Sequence, residues 1–452
     1  MEIGTVVLLV DHIDRDLLVS TLIAHQLEKL GIRCHLEPLE SYQGCLECYR
    51  PDMIIFNHLV GSHLAAFSKR LKELGVLVGV LPNEGLIYDR DARLMNAGKF
   101  HADVHIDHFF CWQQAHKEAL IETGLDKKGT QIHVIGIPRF DLYFSPWSKF
   151  FDITSFEHFQ DQNKSRVLFC TNYGLAHYKE LPPDQSKDFF APWKDRVEKL
   201  KSYEELVEVH YDNRERSLDF MTEIAQSGKF NLVIKIHPRE TTLFYQTWLD
   251  GLDDAWKKRV VLTKNELIYP LIMACDVEIS TGICTTSLES WIAGKPTIDI
   301  VLKRHPWTDN DALERLNPIL GDGGKAVELI DQVIASPEQS VYAEGRKKHL
   351  ATWCHTPQGD TAKKMASVIA AVFSTPQQKE WSRLSLNDYK RGWKLRLLRR
   401  LGLPYNFSPL VRLKARLLPE RYSRKKMAYE KTIRPHHVRT MRDKFAACFI
   451  DE

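Results

Sequence analysis

The feature that most limits what this chain can form is a series of short, unbroken apolar runs. Each is closed by a polar cluster, and helical spacing follows most of them. Residues 5–10 (TVVLLV) do not alternate apolar with polar, so they fit a strand covered on both faces. Residues 34–36, 53–56, 76–81, 105–111 and 132–135 read as five further strands. Residues 17–30 and 62–74 show helical apolar spacing and stop at Gly31 and Gly75. Polar residues stand at the strand ends: Asp11 to Asp16 after the first, Asn57 and His58 after the third, Pro82-Asn83-Glu84-Gly85 after the fourth. This βα alternation predicts a Rossmann-like domain with a parallel sheet.

Residues 146–164 read as a linker, and a second series begins at residues 166–170. Residues 175–202 form a charged insertion of open structure. A helix begins at residues 203–209 and breaks at His210-Tyr211-Asp212-Asn213, and another spans 216–227. Two apolar runs, Leu232-Val233-Ile234 and Val277-Glu278-Ile279, look like neighbouring parallel strands. The first ends in Lys235, His237, Pro238, Arg239 and Glu240. The second ends in Ser280, Thr281 and Gly282, followed by Thr285, Thr286 and Ser287, which cap a helix carrying Glu289. Ligands of open parallel sheets bind beyond the carboxyl ends of the strands. Cations and an imidazole facing hydroxyls and free amides suit a phosphate. Residues 235, 237 and 239 share one face of an extended strand. The expectation is an α/β chain of GT-B class with two Rossmann-like domains facing across a cleft. Residues 1–150 form an acceptor domain, 151–375 a nucleotide-sugar domain, and 376–452 a basic helical extension.

Bulk properties exclude some classes. No apolar run in the 452 residues approaches the ~18 that a membrane helix needs. Met1-Glu2-Ile3-Gly4 lacks a basic leader region and the apolar run breaks at Asp11, which reads as a first strand and not a signal peptide. The nine cysteines are dispersed, and Cys45 and Cys48 make one close pair without a second pair at zinc spacing. Unlinked thiols in a reducing cytoplasm are expected. Charge is uneven: residues 379–452 hold 20 Lys and Arg against 7 Asp and Glu, a net of +13, which leaves −10 on the rest. Residues 390–401 (KRGWKLRLLRRL) and 410–418 (LVRLKARLL) have the composition of membrane-surface segments. The alternative is helices packed back on the body with their Arg faces in solvent. No nucleic-acid-binding motif accompanies the charge.

Three motifs carry a resemblance. They are Gly136-Ile137-Pro138-Arg139-Phe140-Asp141, Lys235-Ile236-His237-Pro238-Arg239-Glu240, and Cys284-Thr285-Thr286-Ser287-Leu288-Glu289 followed by Ala293-Gly294-Lys295-Pro296. Over about residues 1–375 the chain resembles bacterial surface-carbohydrate-biosynthesis proteins. These include retaining β-Kdo transferases and, more widely, GT-B bacterial sialyltransferases. The shared acidic-acidic-Gly, His-Pro and paired Ser/Thr motifs correspond to Asn83-Glu84-Gly85, His237-Pro238 and Thr285-Thr286; Asn83 departs from the second acid.

The resemblance implies a CMP-sugar donor, CMP-β-Kdo first, and a lipid-linked glycan acceptor at the inner face of the cell membrane. His237 would hold the leaving phosphate. Lys235, Arg139, Arg239, Glu240, Gly282, Thr285, Thr286, Ser287 and Glu289 make the binding set, and Glu84 activates the acceptor. A double displacement needs a carboxylate nucleophile; Asp212 and Asp141 are the candidates, although Asp141 also reads as fixing the Arg139 loop. No metal motif and no cofactor are expected. Rival readings are a CDP-polyol phosphotransferase of teichoic-acid type, which works with paired histidines where one His-Pro motif is clear here, a non-enzymatic scaffold, and a nucleotide-sugar epimerase.

Overall fold

The computed structural model describes residues 3–100, 104–151, 155–159, 161–180, 190, 198–281, 284–306, 315–336, 340–375, 378–408, 410 and 431–449. The chain divides into two compact units, Met1–Phe150 with Thr352–Glu452, and Phe151–Ala351. The first unit opens with β1 (Gly4–Val10), α1 (Ile13–Lys29), β2 (Ile32–Pro38), α2 (Tyr42–Tyr49), β3 (Met53–Phe56), α3 (Ser62–Glu73), β4 (Leu77–Val80), α4 (Arg90–Ala97), β5 (His108–Cys111), α5 (Gln114–Glu122) and β6 (Gln131–Val134). The second holds β7 (Ser165–Cys170), α6 (His177–Glu180), α7 (Tyr203–Ser227), β8 (Phe230–Lys235), α8 (Thr242–Asp250), α9 (Asp254–Lys257), β9 (Val260–Thr263), α10 (Ile268–Ala274), β10 (Val277–Thr281), α11 (Thr285–Ile292), β11 (Thr297–Ile300), β12 (Ile319–Leu320) and α12 (Ala326–Ala335). Helix α13 (Ser340–Cys354) leads back to the first unit, which adds α14 (Thr361–Phe373), α15 (Leu386–Arg400) and α16 (Pro435–Cys448).

Each unit is built on a parallel six-stranded sheet. In the first the order is β2-β1-β3-β4-β5-β6, and it reverses between β1 and β3. In the second it is β12-β11-β10-β7-β8-β9, reversing between β7 and β10. Such reversal points are where crossover helices part and leave a crevice at the carboxyl ends. The inner strands are almost wholly buried, as their unbroken apolar runs require, and β10 is buried at all five positions, whereas the outer strands β6, β9 and β12 are partly exposed. In the second core, Val167, Phe169, Leu232, Ile234, Val277 and Ile279 pack with Phe220, Met221 and Ile224 of α7.

Two expectations fail here. The runs at 232–234 and 277–279 are not neighbours, because β7 pairs with both β8 and β10 and lies between them. Their ends are thus about 10 Å apart, two strand spacings. Nor does a helix break at residues 210–213: α7 runs unbroken from Tyr203 to Ser227. Its polar middle is matched by tertiary partners. Asp212 pairs with Lys303, Asn213 exchanges hydrogen bonds with the Lys303 backbone, and buried Arg214 stacks on Phe244 and pairs with Glu180.

The carboxylate of Asp141 accepts from the amides of Thr361 and Ala362 at 3.0 and 2.7 Å, so it caps α14 and ties the turn that carries Arg139 to that helix. Helix α15 packs on α2, with Leu395 and Leu398 buried. Gly44 makes the close approach possible, since a Cβ there would stand 2.9 Å from the Arg391 carbonyl oxygen. Where described, the chain beyond residue 378 therefore packs in the first unit. Residues 411–430, with most of the 410–418 run, lie outside the described residues. Among the described residues no helix is long and apolar enough to cross a membrane.

Candidate functional site

The second unit gathers its polar residues around the reversal point. After β7 comes Thr171-Asn172-Tyr173-Gly174, and after β8 comes the turn of His237 to Glu240. The two loops are locked together. The Thr171 hydroxyl donates to Glu240 at 2.8 Å and accepts the His237 amide at 3.0 Å, and the Tyr173 amide donates to Glu240 at 3.0 Å. The Tyr245 hydroxyl donates to the other Glu240 oxygen. Glu240 is therefore not a ligand-facing carboxylate but a buried brace, and burial raises its pKa. The reason is positional: Glu240 turns inward where Pro238 and Arg239 stay exposed.

His237 and Arg239 do come together, against Gly174. A Cβ on Gly174 would lie 3.2 Å from His237 Nδ1 and 3.1 Å from Arg239 Cβ. His237 Nδ1 accepts the Arg239 amide at 3.2 Å, which leaves the ring proton of the neutral imidazole on Nε2. Burial, then Arg239, Lys235 and Lys264, push its pKa down to about 4. At neutral pH it is a hydrogen-bond donor through Nε2–H, not a cation. Lys235 donates to the Lys264 carbonyl and adds its charge from there. Two more histidines, which no sequence motif marked, approach this corner. His177 follows three residues after Gly174, and His210 of α7 lies within electrostatic reach of His237.

At the end of β10, α11 begins without a side-chain cap; Cys284 is its N-cap. The expectation that Thr285, Thr286 and Ser287 cap the helix is corrected. Thr286 bonds Ser280 at 2.9 Å, and Ser287 is buried and donates to Asp299 at 3.3 Å. Thr285 keeps the hydroxyl not engaged by another side chain among the described residues. Glu289 is buried in the second turn of α11, away from the helix start. Gly282 lies outside the described residues. Under this corner Glu278 is fully buried in β10, and burial pushes its carboxyl up to about 8.

In the first unit, Arg15 of α1 organises the reversal point. Its guanidinium reaches Asp16 at 2.7 Å, Asp11 at 3.2 Å and Glu84 at 3.5 Å. The Asn83 amide donates to Asp16 at 3.1 Å and its oxygen accepts from Asn57 at 2.6 Å. Glu84 is left with a side chain 77% exposed. Gly85 is buried, and a Cβ there would meet the Trp112 ring at 3.1 Å, so the glycine lets the two pack closely. Arg139 stacks over that same ring at 5.3 Å. Among the described residues, no group of three or more His, Cys, Asp or Glu is arranged to hold a metal ion.

The chain matches no family model and no curated protein. Solved structures do match. A variant of the wall teichoic acid polymerase TagF aligns with a TM-score of 0.51 at 10% identity, over 83% of this chain and 90% of that one. MnaA of S. aureus with UDP aligns at 0.49 and 10% identity, over 84% and 100%. HepE of Anabaena with UDP and glucose aligns at 0.43 and 12% identity, over 82% and 100%. At such identities the likeness concerns the fold. With two parallel six-stranded sheets, it gives an α/β chain of GT-B class with two Rossmann-like units.

Proposed function

We propose that this chain is a glycosyltransferase that takes a CMP-activated sugar, CMP-β-Kdo first, and transfers it with retention to a bacterial surface polysaccharide or lipopolysaccharide glycan. The observation that carries this reading is the β7–β8 corner, where His237 presents a fixed Nε2–H beside Arg239 on the sheet edge that also bears the start of α11. As the glycosidic C–O bond breaks, charge gathers on the single phosphate of CMP. Nε2–H of His237, Arg239, Thr285 and the first-turn amides of α11 are donors suited to it. Glu84, steadied by Arg15, takes the acceptor proton. Asp212 stays the candidate nucleophile ahead of Asp141, whose two oxygens are occupied by backbone amides. The acceptor in this reading is a lipid-linked glycan at the inner face of the membrane; neither nucleic acid nor a cofactor enters it.

The test is a thermal-shift panel of CMP, CDP, UDP and GDP, followed by product analysis with a surface-glycan acceptor. At 100-fold excess over Kd, CMP should stabilise by about 2.7 kcal/mol. A response confined to UDP or GDP overturns the reading. One observation favours a second reading, a CDP-polyol phosphotransferase: His177 and His210 near His237 offer the paired imidazoles that the sequence lacked as a motif. A phosphodiester product in place of a glycoside would establish it.

A further inference from the structure

Helix α15 has two faces of opposite character. One buries Gly392, Leu395 and Leu398 against α2. The other carries Leu386, Tyr389, Trp393, Leu397 and Leu401, spaced three and four apart, so they form one stripe along the helix. Leu386 is 79% exposed, Trp393 64% and Leu401 59%. Lys390 and Arg400 lie within that stripe and Lys394 beside it. Arg396 and Arg399 are drawn inward onto Glu47 and Glu37, so among the described residues the outer face of the helix keeps cations without ion-pair partners, Lys394 lying over the Tyr405 ring. The single acid of the helix, Asp388, is buried and caps its start. A stripe of Trp and Leu crossed by lysine and arginine, on a helix of 15 residues that spans only about 22 Å, fits burial in the headgroup region and not a crossing.

We propose that this outer face of α15 docks the protein on an anionic lipid surface, with Trp393, Leu397 and Leu401 entering the interface and Lys390, Lys394 and Arg400 meeting the headgroups. The proposal deepens the preceding reading by naming a partner, and it rests on that reading only for the lipid-linked acceptor. It also revises the residues: Leu395 and Leu398, part of the same basic run, face inward and take no part.

The test is co-sedimentation of the full chain with vesicles of equal parts phosphatidylglycerol and phosphatidylcholine, against pure phosphatidylcholine. Binding to the anionic vesicles, weakening with salt, is expected. Trp393→Ser with Leu397→Ser should lower the partition at least about tenfold. Lys390→Glu with Arg400→Glu should lower it by about fivefold or more per cation. Both variants should keep the wild-type circular dichroism and nucleotide thermal shift, since neither touches the α2 face. Absence of wild-type binding, or variants that bind as the wild type does, overturns the proposal. So does a concentration-dependent dimer that the serine pair dissolves without vesicle binding, which would make the face a contact between copies. A failed CMP response with intact vesicle binding would remove only the transferase reading.

Discussion

Gly174→Ala is the perturbation most closely tied to the site. The added methyl would stand 3.1 Å from Arg239 Cβ and 3.2 Å from His237 Nδ1. Carbon atoms pack best at about 3.5–4.0 Å, so the turn must retreat by roughly half an ångström. That turn is exposed at Pro238 and Arg239 and can yield. The stability cost should therefore sit at the low end of overpacking, about 1 kcal/mol, a fall in Tm of about 2–4 °C. The retreat also stretches the 3.2 Å bond that holds the His237 ring proton on Nε2. A site displaced by about 0.5 Å is at the limit of useful geometry. We expect CMP affinity by titration calorimetry to fall about tenfold, or about 1.4 kcal/mol. Nitrogen NMR should show the His237 tautomer becoming mixed. If the variant bound CMP within twofold of wild type with the tautomer intact, the claim that Gly174 positions His237 would be wrong.

Four further outcomes are expected. Glu278 has its folded pKa raised from 4.5 to about 8 by burial, so its contribution to stability is present below pH 4.5 and lost as pH rises through 8. Glu278→Gln should then be more stable than wild type above pH 8 by a few kcal/mol, on the order of 1.4 per pKa unit, and matched urea titrations at pH 5 and 9 check this. Burial, as the leading cause, holds His237 and His210 down to about 4, so the stability they confer is present above pH 6.5 and fades as pH falls toward 4; His210→Asn should flatten the acid limb of the urea midpoint. Asp141→Ala strands two buried amides at the start of α14 and should cost about 2–3 kcal/mol, whereas Asp141→Asn should cost less in the same melt. Glu84→Gln, at an exposed position, should leave Tm within about 1 °C and lower turnover about 10²-fold or more, and a variant with full turnover would remove Glu84 from the chemistry.

Much of the fold was legible because parallel strands buried on both faces must be continuously apolar, and that is a local property. Residues 53–56 and the helix from Ser62 are clear from spacing alone. Helices α2 and α4 were not, because their patterns, YQGCLECY and RDARLMNA, hold too few apolar residues in register. The apparent break at His210 to Asn213 was misleading. A polar stretch weakens helix periodicity, yet Lys303, Glu180 and Phe244, distant in sequence, supply the partners that let α7 continue. At the site, the His-Pro turn could be read from the chain, since an imidazole beside cations at a strand end needs no partner to be noticed. The inward turn of Glu240 and the need for Gly174 could not.

The sequence by itself determined most of the strands, though not β9 or β12, which ends are polar, and that a basic stretch closes the chain. Side-chain character acts through local periodicity, so those properties needed no knowledge of neighbours. The tertiary structure decided that β7 stands between β8 and β10, that Glu240 braces while Arg239 stays exposed, and which face of α15 meets solvent. These depend on which elements pair across long separations, and strand order and helix rotation are set by the packing of the whole, not by any one run of residues.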